Sequence, residues 1–333
     1  MPDIPRGGDA PVFQVQPPIR SRRVAGRRPS VRAVLVLGLL VSAAAAGSDR
    51  CCLWRAASAT THAWLLGSVH LLPPHLYPLD RSIEDAFAES DLLVVELDAG
   101  SPVNQARLGQ ALAERAFLPG GRTLTGEIDS VTVHELAAIL PALGLDLEQF
   151  GRARPWYVAL MIALAETQRL GFRPDMGLDL HFLEKARDAK PIVELETIEE
   201  QADLLAGLEP AQEALLLRET LEQLPRMAPL LDAAVTAWED GDAARLDSLL
   251  GDLQPDDPRL TGYNRRLIDD RNVVMAERVA GLLAGDRIAF VVVGAGHLVG
   301  ERGILALLER RGFSVEQARK RGPAGEDAED GRR

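Results

Sequence analysis

The chain has 333 residues, 47% of them hydrophobic and 26% charged, enough apolar material for a large folded body and too much for a disordered one. Its formal net charge is −12. Residues 1–46 hold seven arginines against Asp3 and Asp9, a net +5, so the remainder carries −17 and no nucleic-acid partner is expected.

In chain order, the first segment reads as an export signal at about residues 20–46. Arg20, Arg22, Arg23, Arg27, Arg28 and Arg32 form a basic region, Ala33 to Val41 an uncharged apolar core, and Ser42 to Ala46 small-residue cleavage sites. An exported product, periplasmic or secreted, is expected. The alternative is an uncleaved signal anchor, the one route by which the membrane would enter. It is disfavoured because the apolar run of about fourteen residues falls short of the ~20 that span a bilayer. Ser21-Arg22-Arg23 hints at twin-arginine export, and the long polar stretch ahead of the basic region is compatible with a start codon further downstream. Cys51 and Cys52 are adjacent and the only cysteines, so they neither staple distant segments nor offer metal-type spacing. Ser48-Asp49-Arg50 precede them where a lipid-anchored cysteine wants small apolar residues.

Leu53 to Ala56 and Thr61 to Leu66 then read as two strands joined by a polar turn at 58–60. The second runs into Gly67-Ser68-Val69-His70, followed by helical spacing over Ser82 to Glu89 and a strand over Leu92 to Asp98. The same order recurs far downstream: the apolar run Phe290 to Val293, Gly294-Ala295-Gly296-His297, a helix over Gly303 to Arg311, and a strand over Phe313 to Glu316. Two such strand–GxxH–helix–strand units predict one central mixed sheet with His70 and His297 at the same carboxyl edge. Open α/β sheets bind ligands there, and glycine lets the backbone turn sharply beside the site. Between the units, Val103 to Phe117, Val131 to Leu143 and Trp156 to Leu170 are helical in pattern. Gly177-Leu178-Asp179 opens a short helix through Arg187, and Pro191 to Glu196 reads as another buried strand. Residues 199–250 are almost wholly helical, and Tyr263 to Ala284 is one amphipathic helix. Arg319 to Arg333 lacks apolar period and reads as a disordered tail. The expected fold is α/β (α+β): one domain over 47–318, with helical insertions at about 103–170 and 199–284 capping the site.

Histidine at the end of a buried strand is a natural neutral metal ligand, or a base that titrates near working pH. Glu96 interrupts an apolar strand, and a buried carboxylate costs several kcal/mol unless a cation, metal or donor compensates. On a strand, Glu96 and Asp98 would share one face. Two histidines and a glutamate are the usual minimum for a catalytic centre around a divalent ion, Mn, Co or Zn. His70, Glu96 and His297 are therefore the expected catalytic and metal-ligating set. From the residues alone, Arg271 and Asn272 read as a surface charge cluster, Trp156 as a core aromatic, and His62, His75, His134 and His181 as structural or solvated.

The chain beyond the signal resembles the TraB/PrgY/GumN family, and through it the larger group of Tiki proteases, erythromycin esterases and ChaN-like haem-binding proteins. The residues that carry the resemblance run in order. They are Leu66-Gly67-Ser68-Val69-His70, Val95-Glu96-Leu97, Arg154-Pro155-Trp156, Gly177-Leu178-Asp179, Leu195-Glu196-Thr197 with Glu200-Gln201, Asp270-Arg271-Asn272, and Val293 through Gly300. Glu194 stands where related sequences usually carry a small residue. The resemblance implies a hydrolase-like site built from His70, His297 and Glu96 with Arg271 and Asn272 beside them. Asp98, Asp179 and Glu196 join Asn272 as supporting or substrate-contacting candidates. It implies water activated at a divalent ion with Arg271 facing the developing oxyanion, or, without metal, water activated directly by histidine and glutamate. A peptide or small molecule is the expected substrate. The competing class is a protein that binds or sequesters a peptide, or haem, in the same cleft without turning it over.

Overall fold

The computed structural model describes residues 49–69, 74–252 and 257–322; the expected signal, His70 and residues 323–333 of the expected tail lie outside them. Strands β1 (Arg50–Ala57) and β2 (His62–Ser68) form the expected hairpin, with Leu53 opposite Leu66. Its turn is closed by Ser58, whose Oγ accepts from the Thr60 and Thr61 N–H groups and donates to Thr61 O. Helix α1 (Arg81–Glu89) starts on the Asp80 carboxylate, which accepts the Ser82 N–H. It leads to β3 (Leu92–Val95), four buried aliphatic residues. Helices α2 (Pro102–Ala116), α3 (Leu124–Glu127), α4 (Ser130–Ile139) and α5 (Pro155–Arg169) make the first insertion. Helix α6 (Leu178–Ala186) then brings the chain back to β4 (Ile192–Glu194). The second helical stretch holds α7 (Ile198–Ala206), α8 (Pro210–Glu239), α9 (Ala243–Asp252), α10 (Thr261–Arg265) and α11 (Arg271–Leu283). Strand β5 (Ala289–Gly294), helices α12 (Ala295–Leu298) and α13 (Ile304–Arg310), and strand β6 (Ser314–Arg319) close the order.

The sheet runs β4-β3-β5-β2-β1-β6. Strand β5 is parallel to β2 and β3, β4 is parallel to β3, and β1 is antiparallel to both neighbours. The two units therefore interlock. The path β2–α1–β3 crosses over β5, while β5–α13–β6 crosses over β2 and β1 to the far edge. One consequence carries the rest: β2, β5, β3 and β4 present their carboxyl ends along a single edge, with Ser68 opposite Gly294 and Val95 opposite both Val292 and Glu194. Central parallel strands are covered on both faces, which is why Phe290 to Val293 is an unbroken apolar run with no exposed area.

The main core surrounds the sheet, where Phe87, Phe182 and Phe290 meet at ring separations of 4.8–5.5 Å. The insertions have cores of their own. Leu136 and Leu140 pack on Val158, Ile162, Leu217 and Leu221, and Trp156 packs with Leu260 and Tyr263 in a third cluster, the core role expected of it. At about 2 kcal/mol for each fully buried aliphatic side chain, these clusters stabilise the helical layer in addition to the core around the sheet.

Four expectations are corrected. The strand through Asp98 stops at Val95, because β4 runs out alongside it and the chain turns, with the Ala99 N–H donating to Leu97 O. Glu96 and Asp98 consequently do not share a strand face. Strand β4 is not buried: it is an edge strand whose Val193 is 37% exposed. The helix expected over 263–284 runs without interruption over 261–283, but it is not a uniform α-helix, since it carries a π-helical turn at Arg266–Asp270. Finally, Arg319 belongs to β6; beyond it the Lys320 N–H donates to Asp49 O, the Arg321 and Gly322 N–H groups donate to the Asp80 carboxylate, and Gly322 O accepts the Arg81 N–H. Among the described residues no helix is long and apolar enough to cross a membrane.

Candidate active site

The carboxyl edge of the sheet is tight. A Cβ on Gly67 would lie 3.2 Å from Ala295 Cβ and 3.3 Å from its Cα, so the first GxxH motif needs glycine for the second to pack against it. The Trp238 indole N–H donates to Gly67 O at 2.6 Å and fixes this turn from α8.

Helix α12 places His297 just past β5, 5% exposed. Its Nδ1 lies 2.6 Å from Asn272 Oδ1. The Asn272 amide cannot be turned round without loss, because its Nδ2 donates to Arg302 O at 3.0 Å. Oδ1 therefore faces the ring, Nδ1 carries the hydrogen, and Nε2 is the basic nitrogen. Nε2 is 3.9 Å from Glu96 Oε1.

Glu96 follows directly on β3 and is 8% exposed. Oε1 accepts the Gly294 N–H at 2.7 Å, and Oε2 accepts from Arg271 Nη2 at 2.6 Å. Arg271 opens α11 and forks onto Glu196 as well, Nε to Oε1 and Nη2 to Oε2, both at 2.6 Å, while Nη1 donates to Leu267 O at 3.0 Å. Four of its five N–H groups are thereby engaged. Burial pushes the guanidinium pKa down, but the hydrogen bonds to Glu196 and the charges of Glu96 and Glu196 outweigh it, and the net direction is up. Gln201 adds a further contact, donating to Glu196 Oε2 at 3.1 Å. With neutral imidazole, the two carboxylates and one guanidinium carry a net −1.

The structure thus brings Glu96, Glu196, Arg271, Asn272 and His297 together. Asp179 sits in the first turn of α6 and accepts the Ser68 hydroxyl at 2.5 Å, while the Leu178 N–H donates to Val69 O at 3.4 Å. It therefore braces the first GxxH segment. Asp98 is not gathered in: it accepts from Arg187 at 3.3 Å and from the Ser101 N–H at 3.1 Å. Glu194 turns its Oε1 onto the Asp98 N–H and Asn104 Nδ2. Among the described residues no group of three or more His, Cys, Asp or Glu side chains is placed to hold a metal ion; the third expected ligand, His70, lies outside them. His62 contacts Glu89 and His181 contacts Glu84, while His75 and His134 are exposed. The sequence offered no signal for the Trp238 contact or for the Arg302 carbonyl that fixes Asn272.

The family model of the TraB/PrgY/gumN family matches residues 52–317. The chain belongs to this family. It is similar to the uncharacterized protein YbaP of Escherichia coli K12, 27% identical over 248 residues that cover 74% of this chain and 88% of YbaP. It is also similar to Metalloprotease TIKI2 of Danio rerio, 25% identical over 302 residues, and to Metalloprotease TIKI1 of Homo sapiens, 25% identical over 311 residues. Those matches take in 76% and 79% of this chain but 58% and 60% of the Tiki proteins, so the chain spans only part of their length. No solved structure matches. The relatives' names support a hydrolase-like function.

Proposed function

We propose that this protein is an exported, metal-dependent hydrolase of peptides whose reaction centre is the buried cluster at the carboxyl edge of the sheet. The observation that carries the reading is His297, held in one tautomer by Asn272 with its basic nitrogen directed to the Arg271-clamped Glu96. A buried, paired charge cluster is an inefficient way to gain stability alone, and desolvated titratable groups gathered with a fixed imidazole mark a functional-site candidate.

The donor set suits a divalent cation. Two ligands of one ion at ~2.1 Å stand roughly 3.0–3.4 Å apart, and Nε2 and Oε1 are already 3.9 Å apart. Each Glu96 oxygen accepts an N–H, and a carboxylate oxygen can accept two partners. The net −1 of the cluster also favours a cation. Glu96, His297 and the sequence-predicted His70 would hold it. Such an ion supplies Lewis acidity, polarising a substrate carbonyl and acidifying a water. The chain's own groups do the positioning. Asn272 keeps the imidazole in the tautomer that presents Nε2, as supporting residues do for metal-bound histidines. Arg271 and the Gly294 N–H hold the Glu96 carboxylate in one orientation. Glu196 anchors the Arg271 fork, so the oxyanion role that the resemblance gives Arg271 is confined to its one remaining N–H on Nη1. Without metal, Nε2 would take the proton of a water oriented by Glu96 and return it to the leaving amine.

Metal analysis of the purified protein, with turnover of a peptide library measured before and after chelation, tests the reading. Turnover that disappears with the metal and returns on re-addition supports it. Turnover indifferent to chelation leaves the metal-free route, and tight binding of peptide or haem without turnover replaces hydrolysis with sequestration. Cell fractionation and N-terminal sequencing of the product test export and cleavage near residue 46.

A further inference from the structure

The three residues of β4 form an open edge beside the site, and the register settles which of their backbone groups are free. The Leu93 N–H donates to Pro191 O at 2.9 Å and the Leu195 N–H to Val95 O at 2.8 Å, with Leu93 opposite Ile192 and Val95 opposite Glu194. In a parallel ladder the inward and outward residues alternate. Val193 therefore faces β3, and the N–H and C=O groups of Ile192 and Glu194 face outward, where no described residue meets them. Pro191, Val193 and Glu194 are all exposed, so this side opens to solvent.

Edge strands are normally guarded by charge. Strand β6, at the far edge, carries exposed Glu316 and Arg319. The single charge of β4 is Glu194, and its carboxylate is turned back onto the Asp98 N–H at 2.8 Å and Asn104 Nδ2 at 3.1 Å. The edge also leads into the cluster: two residues beyond β4, the Glu196 N–H donates to Glu96 O at 2.9 Å, and Glu196 is clamped to Arg271.

We propose that the outer edge of β4 docks an extended peptide as an added strand and delivers it to the His297 and Glu96 site; this rests on the peptide-directed reading above. The two outward residues supply four backbone hydrogen bonds, a short ladder suited to a substrate that must leave. Strands lie ~4.8 Å apart, so an added strand sits roughly 14 Å from β5. At ~3.3 Å per extended residue, about four or five residues link the docked segment to His297. Peptides shorter than about eight residues should bind weakly.

The experiment uses the full chain carrying His297→Ala, so that peptides are held uncut. A randomised pool of ten-residue peptides is captured on it, and retained sequences are resynthesised with fluorescein for anisotropy titration. Glu194→Pro removes an outward N–H and sets a ring on the edge while leaving the bonds to β3 in place; Glu194→Ala loses only the side chain. Glu194→Pro should weaken binding at least tenfold and Glu194→Ala less than threefold. N-methylation of the peptide at successive positions should cost tenfold at two positions, two residues apart, whose N–H groups meet the outward C=O groups of Ile192 and Glu194. Equal effects of Pro and Ala, or no alternation in the methyl scan, overturn the docking edge. If Glu194→Pro does not melt like the parent, the methyl scan alone decides. A dimer that Glu194→Pro disperses would make the edge a self-interface and also overturn the proposal. Cleavage of the same peptides by the unsubstituted chain separates the two readings: bound but uncut peptides remove hydrolysis and keep the edge, while cut peptides insensitive to Glu194→Pro do the reverse.

Discussion

Replacing Arg271 with Gln tests the electrostatic centre of the cluster most directly. The guanidinium is 17% exposed and bridges Glu96 and Glu196, whose side chains are 10% and 9% exposed. Arg271→Gln leaves two carboxylates in a desolvated place without their shared counter-charge. Breaking a buried pair in this way costs about 3–5 kcal/mol, against about 0–1 kcal/mol for an exposed one. At ~2–3 °C per kcal/mol for a folded body of this size, the melting temperature should fall by roughly 6–15 °C. Urea unfolding at pH 7.5 gives the free energy by linear extrapolation. It should be run with a chelator present, so that a bound cation does not stand in for the lost guanidinium. Adding Glu196→Gln to Arg271→Gln removes one of the stranded charges, and the double-mutant cycle should show a coupling of about 2 kcal/mol or more. A loss below about 1 kcal/mol, or additive single effects, would mean that water already screens the pair and that the cluster is a surface feature.

The remaining expectations can be checked in one series of variants. Glu96→Ala and His297→Ala should each remove peptide turnover by about a thousandfold or more, and their combination should cost hardly more than either, because the groups act as one unit. Exposed His134→Ala should keep full turnover. Asn272→Ala frees the His297 tautomer and should cost roughly 10–100-fold in turnover or metal affinity. Its pH–rate profile should shift, whereas Asn272→Asp, which keeps the acceptor, should retain more. The hydrogen bond from His181, with the hydrogen bond and charge of Lys185, holds the Glu84 carboxyl below its ordinary value of 4.5. The stability it adds is therefore full above that value and lost as pH falls through the depressed one; melting scans from pH 6 to pH 3 should show a shallower acid limb for Glu84→Gln. Burial pushes the Cys51 thiol up to about 12 and the Cys52 thiol up as well. Neither should react with iodoacetamide at pH 8 until the chain is unfolded, as mass spectrometry would show.

Much of the architecture was legible because buried parallel strands are written as continuous apolar runs. Phe290 to Val293 and Leu92 to Val95 needed only that rule, and the repeated GxxH fixed which ends of β2 and β5 come together. What escaped were pairings decided elsewhere in the chain. Ile192 and Val193 read alike in the centre or at the edge of a sheet, since the sequence does not say whether a strand has one neighbour or two. Val95-Glu96-Leu97-Asp98 alternates like a strand, yet the Glu196 N–H meets Glu96 O just where both strands end. The carboxylate is thereby left at a turn instead of inside the ladder.

Arg271 and Asn272 show the same limit and its physical reason. In the linear text Asp269-Asp270-Arg271-Asn272 is a polar run, indistinguishable from a solvated surface. In the fold Asp269 and Asp270 end a π-helical turn, and Arg271 and Asn272 begin α11 immediately after it. A π turn places about one extra residue in the coil and so rotates the downstream helix by roughly 100° around its axis. That rotation sets which side of the first turn meets the sheet edge. The two neighbours then diverge by a further ~100°, so that Arg271 spans Glu96 and Glu196 while Asn272 reaches His297. One helix start thus aligns both the carboxylate and the imidazole of the cluster. The phase of that start is a property of the π-helical turn at Arg266–Asp270, which the apolar periodicity over 263–284 does not record.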